Sequence, residues 1–295
     1  MNIKKKQVNN IITKSNLPVS EYAANPYVGC SHACKYCYAS FMKRFTNHCE
    51  QWGEFLDVKY WNTIKNVHKY DEKKLFLGSV TDPYNPQEDI YFRTHELLEQ
   101  LKESKIKLTI QTKSDLILRD LKLIKSFSGV RVGFSINTLD EKFKNDMDDA
   151  VSISRRIIAM KKFYEARVCT VCFISPIFPG ITNVLSIIEQ VKNVCNLVWL
   201  ENLNLRGNYK ATIMDYIKEK YPNLYPLYQE IYINGNCRYW EELDKEISEY
   251  AKLNRLEYVY NNDKMNTSFN GKPIIVNFFY HEKIKKNTKI ANKNV

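Results

Sequence analysis

The stretch Asn25-Pro26-Tyr27-Val28-Gly29-Cys30-Ser31-His32-Ala33-Cys34-Lys35-Tyr36-Cys37-Tyr38 sets three thiols in a C-x3-C-x2-C pattern. Three thiolates so close together can hold three irons of a [4Fe–4S] cluster and leave the fourth iron open, and an open coordination position is what a catalytic metal site requires. The competing reading is a structural zinc site. Zinc wants a closed tetrahedral set, and the nearest further ligands are His32, His48 and Cys49. His32 lies between the cysteines, where its side chain cannot easily join them, so only the His48–Cys49 pair is within reach. Ligand count favours iron and sulfur.

Outward from this loop, short apolar runs alternate with helix-period segments. Residues 25–28 read as a first short strand, followed by strand candidates at 75–80, 106–111, 130–136, 168–174 and 197–201. Ile106, Leu108 and Ile110 alternate, as do Val130, Val132, Phe134 and Ile136, which is the period of a strand. Between them lie amphipathic stripes: Leu97, Leu98 and Leu101; Ile153, Ile157, Met160 and Tyr164; and Val184, Ile187, Ile188 and Val191 behind an N-cap at Asn183. Strand–helix alternation predicts a parallel sheet, because parallel neighbours need crossover helices. Six units are too few to close an eight-stranded barrel, so the expected fold is α/β, a partial (β/α)6 TIM-like barrel. Its chemistry would sit at the C-terminal ends of the strands.

The expected organisation is an N-terminal extension over 1–20, the barrel over 21–207, a C-terminal covering region over 208–280 and a basic tail over 281–295. The covering region is an α+β appendage, with helix candidates at 211–220 and 240–253 and strand-like runs at 256–260 and 273–279. The tail is Lys- and Asn-rich and is expected to fray.

Composition sets the outer bounds. The chain has 295 residues, 44% hydrophobic and 26% charged, enough to bury a core without disulfide staples. Its aromatic content excludes collagen-like, low-complexity and wholly disordered classes. Residues 1–10 are polar and lack the apolar core of a secretory signal, and no apolar run approaches a membrane span. The protein is therefore expected in the cytoplasm, away from membranes, where thiols stay reduced and eight cysteines point to metal or catalysis. Residues three apart on a strand face opposite ways, so Cys169 and Cys172 would not chelate one metal, and they read as core with Cys195. Cys237, in a predicted loop, is a weak candidate for a thiol hydrogen donor.

The cysteine loop resembles the signature of radical S-adenosylmethionine (radical SAM) enzymes, including the aromatic Tyr36 just before the last cysteine. Thr81-Asp82-Pro83-Tyr84-Asn85-Pro86-Gln87-Glu88, Thr112-Lys113-Ser114 with Arg119-Asp120, and Ser175-Pro176-Ile177-Phe178-Pro179-Gly180 extend the likeness to the spore photoproduct lyase-like branch. The likeness covers roughly residues 20–205. Ile12-Thr13-Lys14-Ser15 and Ala39-Ser40-Phe41-Met42-Lys43-Arg44-Phe45 resemble the group called radical SAM mobile pair protein B. The resemblance implies a [4Fe–4S] cluster held by Cys30, Cys34 and Cys37, with S-adenosylmethionine (SAM) on the open iron. Reductive cleavage of SAM would give methionine and a 5′-deoxyadenosyl radical that abstracts a substrate hydrogen. The protein's task would be to position the substrate and exclude water.

The resemblance also implies roles for single residues. Tyr36 would pack by the adenine, and Thr81 would lie near the methionine end of the cofactor. Lys113 and Ser135, at strand ends, resemble residues that hold its carboxylate or ribose. Arg156 resembles an arginine that reaches the same carboxylate, for which a guanidinium fork is suited. Ser175 would border the adenine. Taken as residues alone, Asp82-Pro83 and Pro179-Gly180 are turn formers, Lys113 a solvated cation and Arg156 a partner for a helix-surface Glu.

An electron donor such as a flavodoxin or ferredoxin is implied, and the mobile-pair likeness implies a companion radical SAM protein. The net charge of +11 permits a nucleic acid or nucleotide substrate, although charge runs are usually solvated faces. Two further readings stay open. One is a photoproduct-type DNA repair lyase, weakened because Gly78-Ser79-Val80-Thr81 offers no hydrogen-donor cysteine. The other is a non-enzymatic iron–sulfur or zinc regulatory protein.

Overall fold

The computed structural model describes residues 1–17, 19–207, 209–260 and 271–279. The tail expected to fray lies outside them. The chain forms two compact units, the first made of Met1–Ser135 and Asp140–Val171, the second of Ile136–Leu139 and the chain from Cys172 onward.

The first unit opens with β1 (Asn2–Gln7), β2 (Ile12–Lys14), β3 (Tyr22–Ala24) and β4 (Tyr27–Val28). A short 3-10 helix over Tyr38–Phe45 leads to β5 (Phe55–Tyr60) and β6 (Lys74–Leu77), then to the helices α1 (Glu88–Tyr91) and α2 (Arg93–Leu101). Next come β7 (Lys107–Thr112), α3 (Leu121–Ser126), β8 (Gly129–Ser135), α4 (Glu141–Met147) and α5 (Ile153–Glu165). Strands β3, β6, β7 and β8 pair in parallel in that order, and β2 caps the β3 edge antiparallel. Both faces of β7 from Leu108 to Thr112 are buried, as expected when helices cover a parallel sheet. Leu97, Leu98 and Leu101 of α2 are buried with Leu108, Ile110, Val132 and Phe134 of the strands. Each such side chain contributes about 1.5–3 kcal/mol when fully buried.

Three sequence expectations shift here. The first barrel strand is β3 rather than 25–28. Tyr27 and Val28 instead pair antiparallel with β5, in a second small sheet of order β1-β5-β4. The expected extension over 1–20 therefore contributes two strands, and its Lys-rich β1 lies parallel to β5. The strand expected over 75–80 stops at Leu77, because Gly78 turns the chain at φ +92, where a Cβ would meet the Gln111 carbonyl oxygen at 2.8 Å. The buried stripe of α5 is Ile153, Arg156, Ala159, Met160 and Phe163, rotated from the apolar stripe so that an arginine faces inward.

Strand β9 (Cys169–Ile177) begins in the first unit and runs on into the second. The second unit continues with α6 (Val184–Val191), β10 (Leu197–Asn202), α7 (Tyr209–Lys220), α8 (Tyr225–Tyr232), α9 (Arg238–Asn254), β11 (Glu257–Tyr260) and β12 (Ile274–Asn277). The Asn183 side chain caps α6 by accepting the Ser186 N–H at 2.9 Å. Both strands of the expected covering region pair within the second unit: β12 runs parallel to β10, and β11 to β12. An apolar run such as Ile274, Ile275 and Val276 satisfies its backbone best on an open strand edge. Trp199 packs edge-on against Phe173 and Phe278, with centroids 6.1 and 5.6 Å apart. The fold class is α/β, with six strand–helix units represented by β3, β6, β7, β8, β9 and β10. Among the described residues no helix is long and apolar enough to cross a membrane.

Candidate active site

The cysteine loop leaves β4 and is tied down at both ends. Gly29 takes φ +90, and a Cβ there would sit 2.4 Å from the Phe55 carbonyl oxygen, so only glycine lets the loop cross β5 this closely. Its own carbonyl accepts the Thr81 hydroxyl at 2.6 Å. The Asn25 side chain donates to Ser79 Oγ at 2.9 Å and accepts the Val80 N–H at 3.0 Å, so the loop after β6 is fastened to the strand-side end of the cysteine loop. Within the loop, the Cys37 N–H donates to the Cys34 carbonyl at 3.1 Å. The Lys35 and Asp149 N–H groups bond across to Met147 O and His32 O, fixing the loop against the end of α4. None of the eight cysteines is in a disulfide. Cys30 is buried, while Cys34 and Cys37 are half-buried.

A charged network meets these thiols. Lys113, one residue past β7, points its Nζ at Cys34 Sγ (3.3 Å), at the Tyr36 hydroxyl and at Asp148 Oδ2 (3.0 Å). The same ammonium lies 4.5 Å from the Tyr36 ring centroid. The Tyr36 hydroxyl also donates to Asp148 Oδ2 at 3.0 Å. Arg156, fully buried on α5, donates to Asp148 Oδ1 (3.0 Å), to Val151 O (2.9 Å) and to the Ser135 carbonyl (3.1 Å). The Ser135 hydroxyl, at the end of β8, accepts the Gln111 amide at 3.0 Å. A second buried carboxylate, Asp82, accepts the Tyr84 N–H, the Thr112 hydroxyl and the Lys113 N–H at 2.7–2.9 Å. His32 Nδ1 lies 3.3 Å from Asp82 Oδ2.

Charge balance follows from these contacts. Burial is the largest influence on the loop thiols and pushes each up, Cys37 to about 12. Lys113 opposes that rise at Cys34, as His32 does at Cys30. Burial also works against the Lys113 ammonium, but Asp148 and Cys34 outweigh it and hold Lys113 well above the usual lysine value. Burial would raise the Asp148 carboxyl, yet Lys113 and Arg156 together hold it well below the usual carboxylate range. His32 is opposed by burial and favoured by Cys30 and Asp82, which carry it to about 10.

The three thiols suit an iron–sulfur cluster better than a single ion. Among the described residues no three His, Cys, Asp or Glu converge on one point that could hold one metal ion. A cluster instead takes each thiolate on its own iron. His48, a reachable fourth ligand for zinc, has both ring nitrogens against carboxylates, Glu50 at 3.1 Å and Asp57 at 2.9 Å. Cys30, Cys34 and Cys37 are the residues that would hold the cluster.

The structure gathers Tyr36, Lys113, Ser135 and Arg156 into this one network in the first unit, and Thr81 joins it through Gly29. Thr81 lies in the loop beyond β6 rather than on the strand. Ser175 belongs to the second unit, where its hydroxyl donates to Glu201 Oε2 at 2.6 Å. Cys237 also belongs there, just ahead of α9, with Sγ 3.6 Å from the Gly235 carbonyl. Asp148 joins Lys113, Tyr36 and Arg156, yet it sits in the acidic run Asp146-Met147-Asp148-Asp149, where nothing local marks it out. Asp82, a turn former by sequence, is a hub, a role its neighbour Lys113 could have suggested.

The radical SAM superfamily model matches residues 24–189, and the chain belongs to that superfamily. The superfamily uses a [4Fe–4S] cluster and SAM. An uncharacterized protein of Methanocaldococcus jannaschii is 36% identical over 219 residues, covering 73% of this chain and 82% of that protein. An uncharacterized protein of Mycobacterium tuberculosis is 25% identical over 247 residues, covering 78% of this chain and 72% of its own length. In fold, the chain is similar to a spore photoproduct lyase double mutant solved with bound AdoMet and dinucleoside spore photoproduct. The TM-score is 0.54 at 17% identity, and the match covers 75% of this chain and 66% of that one.

Proposed function

We propose that this protein is a radical SAM enzyme that cleaves SAM reductively and abstracts a hydrogen atom from a substrate not yet identified. The observation that carries the reading is the Lys113 ammonium 3.3 Å from Cys34 Sγ, within a loop of three free thiols and beside a buried Arg156. A cluster on Cys30, Cys34 and Cys37 would supply the electron for cleavage, and the cofactor the radical. Lys113 and Arg156 offer two cations to the methionine carboxylate, Ser135 a hydroxyl to the ribose, and Tyr36 a face to the adenine. Thr81 stands toward the methionine end, and Ser175 is proposed to border the adenine. A reductant such as a flavodoxin or ferredoxin would deliver the electron, and a companion radical SAM protein would work alongside.

The test is anaerobic reconstitution with iron and sulfide, followed by dithionite and SAM. The expected products are 5′-deoxyadenosine and methionine. A cluster-loaded protein that yields no 5′-deoxyadenosine overturns the enzyme reading in favour of a regulatory iron–sulfur protein. A second reading, a photoproduct-type repair lyase, draws on the fold likeness to spore photoproduct lyase. Irradiated DNA whose thymine photoproduct stays unchanged removes it.

A further inference from the structure

Three buried or half-buried cations surround one carboxylate. Asp148 is 4% exposed and receives Lys113 Nζ on Oδ2 at 3.0 Å and Arg156 on Oδ1 at 3.0 Å, with Lys144 Nζ 3.7 Å from Oδ1. Its Oδ1 also accepts the Ala150 N–H at 3.1 Å, so the carboxylate is fixed by its own backbone. Three cations face this one carboxylate, which leaves positive charge over in a site where unpaired charge is costly. That surplus suits one incoming anion.

The two cations also need holding. Lys113 and Arg156 come from different elements, the end of β7 and the middle of α5, and Arg156 disfavours the charge of Lys113. Asp148 is the group that touches both. Each of its oxygens takes one of them, which sets the spacing between ammonium and guanidinium that a bidentate carboxylate ligand would meet. Because the side chain is buried and pinned by Ala150 N–H, it acts as a fixed part of the site, not as a plug that the ligand displaces.

We infer that Asp148 is the positioning residue of the carboxylate subsite: it registers Lys113 and Arg156 so that the aminobutyrate carboxylate of SAM is bound. The inference rests on the proposed function above and goes beyond it by assigning a residue that neither motif nor resemblance marks.

The test compares wild type with Asp148→Asn, both cluster-loaded to equal iron content, by equilibrium dialysis with two probes. One is SAM; the other is 5′-methylthioadenosine, the same nucleoside thioether without the carboxylate. Asp148→Asn should weaken SAM binding at least tenfold and leave 5′-methylthioadenosine within twofold. SAM binding that is unchanged or tightened overturns the inference, the second result marking Asp148 as a competitor. Equal loss of both probes also overturns it, since a structural role would do that. Lys113→Met supplies an independent arm: adding Asp148→Asn to it should cost far less than the same change costs in wild type. An equal cost in both backgrounds counts against the inference. A wild-type protein that binds neither probe refutes the proposed function instead.

Discussion

Two groups of cysteines use the same residue under opposite conditions. Cys30, Cys34 and Cys37 sit in an irregular loop among Lys113, His32, Asp82 and Asp148, whereas Cys172 and Cys195 lie among apolar side chains of the second unit. Burial raises the pKa of the loop thiols and of Cys172 alike. At Cys172 the next influence is the neighbouring Cys195, which raises it further. At Cys34 the next influence is Lys113, which lowers it. The difference is therefore not burial but whether the fold supplies positive charge to stabilise a thiolate. Where it does, the thiol is a ligand in waiting; where it does not, the thiol is a small hydrophobe.

Replacing one thiol from each group tests the comparison most severely. Cys34→Ala should abolish both the brown iron–sulfur chromophore and 5′-deoxyadenosine formation after reconstitution. Cys172→Ala should leave both intact and cost on the order of 1 kcal/mol of stability, the effect of a small core cavity. Iron content, the absorbance spectrum and a denaturation midpoint measure the pair. A chromophore retained in Cys34→Ala, or lost in a folded Cys172→Ala, would break the division between the two groups.

How far that division was legible in the sequence depends on whether a residue's partner is local. The cysteine spacing and the alternation in β7 and β8 are local, so both could be seen without coordinates. The identity of the first barrel strand is not: Tyr27 and Val28 are extended and apolar, as a barrel strand would be, but nothing in them says that they pair with β5. Strand β1, with its Lys4-Lys5-Lys6 run, carries no local strand signal, because parallel pairing uses backbone groups that any residue provides. Taken as a residue alone, without the family resemblance, Arg156 reads as a surface cation, because an arginine on a helix usually is one. Its burial depends on three acceptors, Val151 O, Ser135 O and Asp148, the second of them 21 residues away in sequence. Asp148 meets Lys113 across 35 residues, a distance no motif spans.

The next test weakens the polar surroundings while leaving every thiol in place. Asp82→Ala removes the acceptor for Tyr84 N–H, Thr112 Oγ–H and Lys113 N–H and the carboxylate that faces His32. Losing one partner of a buried charged network costs about 3–5 kcal/mol. The thermal midpoint should fall by roughly 6–12 °C at the lower end of that range. A calorimetric scan at neutral pH measures it beside Cys172→Ala. A smaller fall than in Cys172→Ala would mean that the charged shell is decoration and that packing alone holds the loop.

Cys237→Ser carries the smallest expected effect and addresses a thiol that belongs to neither group. Cys237 is half-buried, its Sγ reaches the Gly235 carbonyl at 3.6 Å, and it precedes α9 without capping it by a side-chain bond. Serine keeps the size and a hydrogen-bonding group, so stability should change by less than about 0.5 kcal/mol. Cluster content and 5′-deoxyadenosine formation without substrate should match wild type. What can change is the fate of a substrate radical, because a serine O–H bond is too strong to give up its hydrogen atom in place of a thiol. If Cys237 returns a hydrogen to the product, the variant should still consume SAM with substrate but accumulate altered products, resolvable by mass spectrometry in deuterated buffer. Identical products and deuterium content in variant and wild type would assign Cys237 to the inert thiols, alongside Cys172.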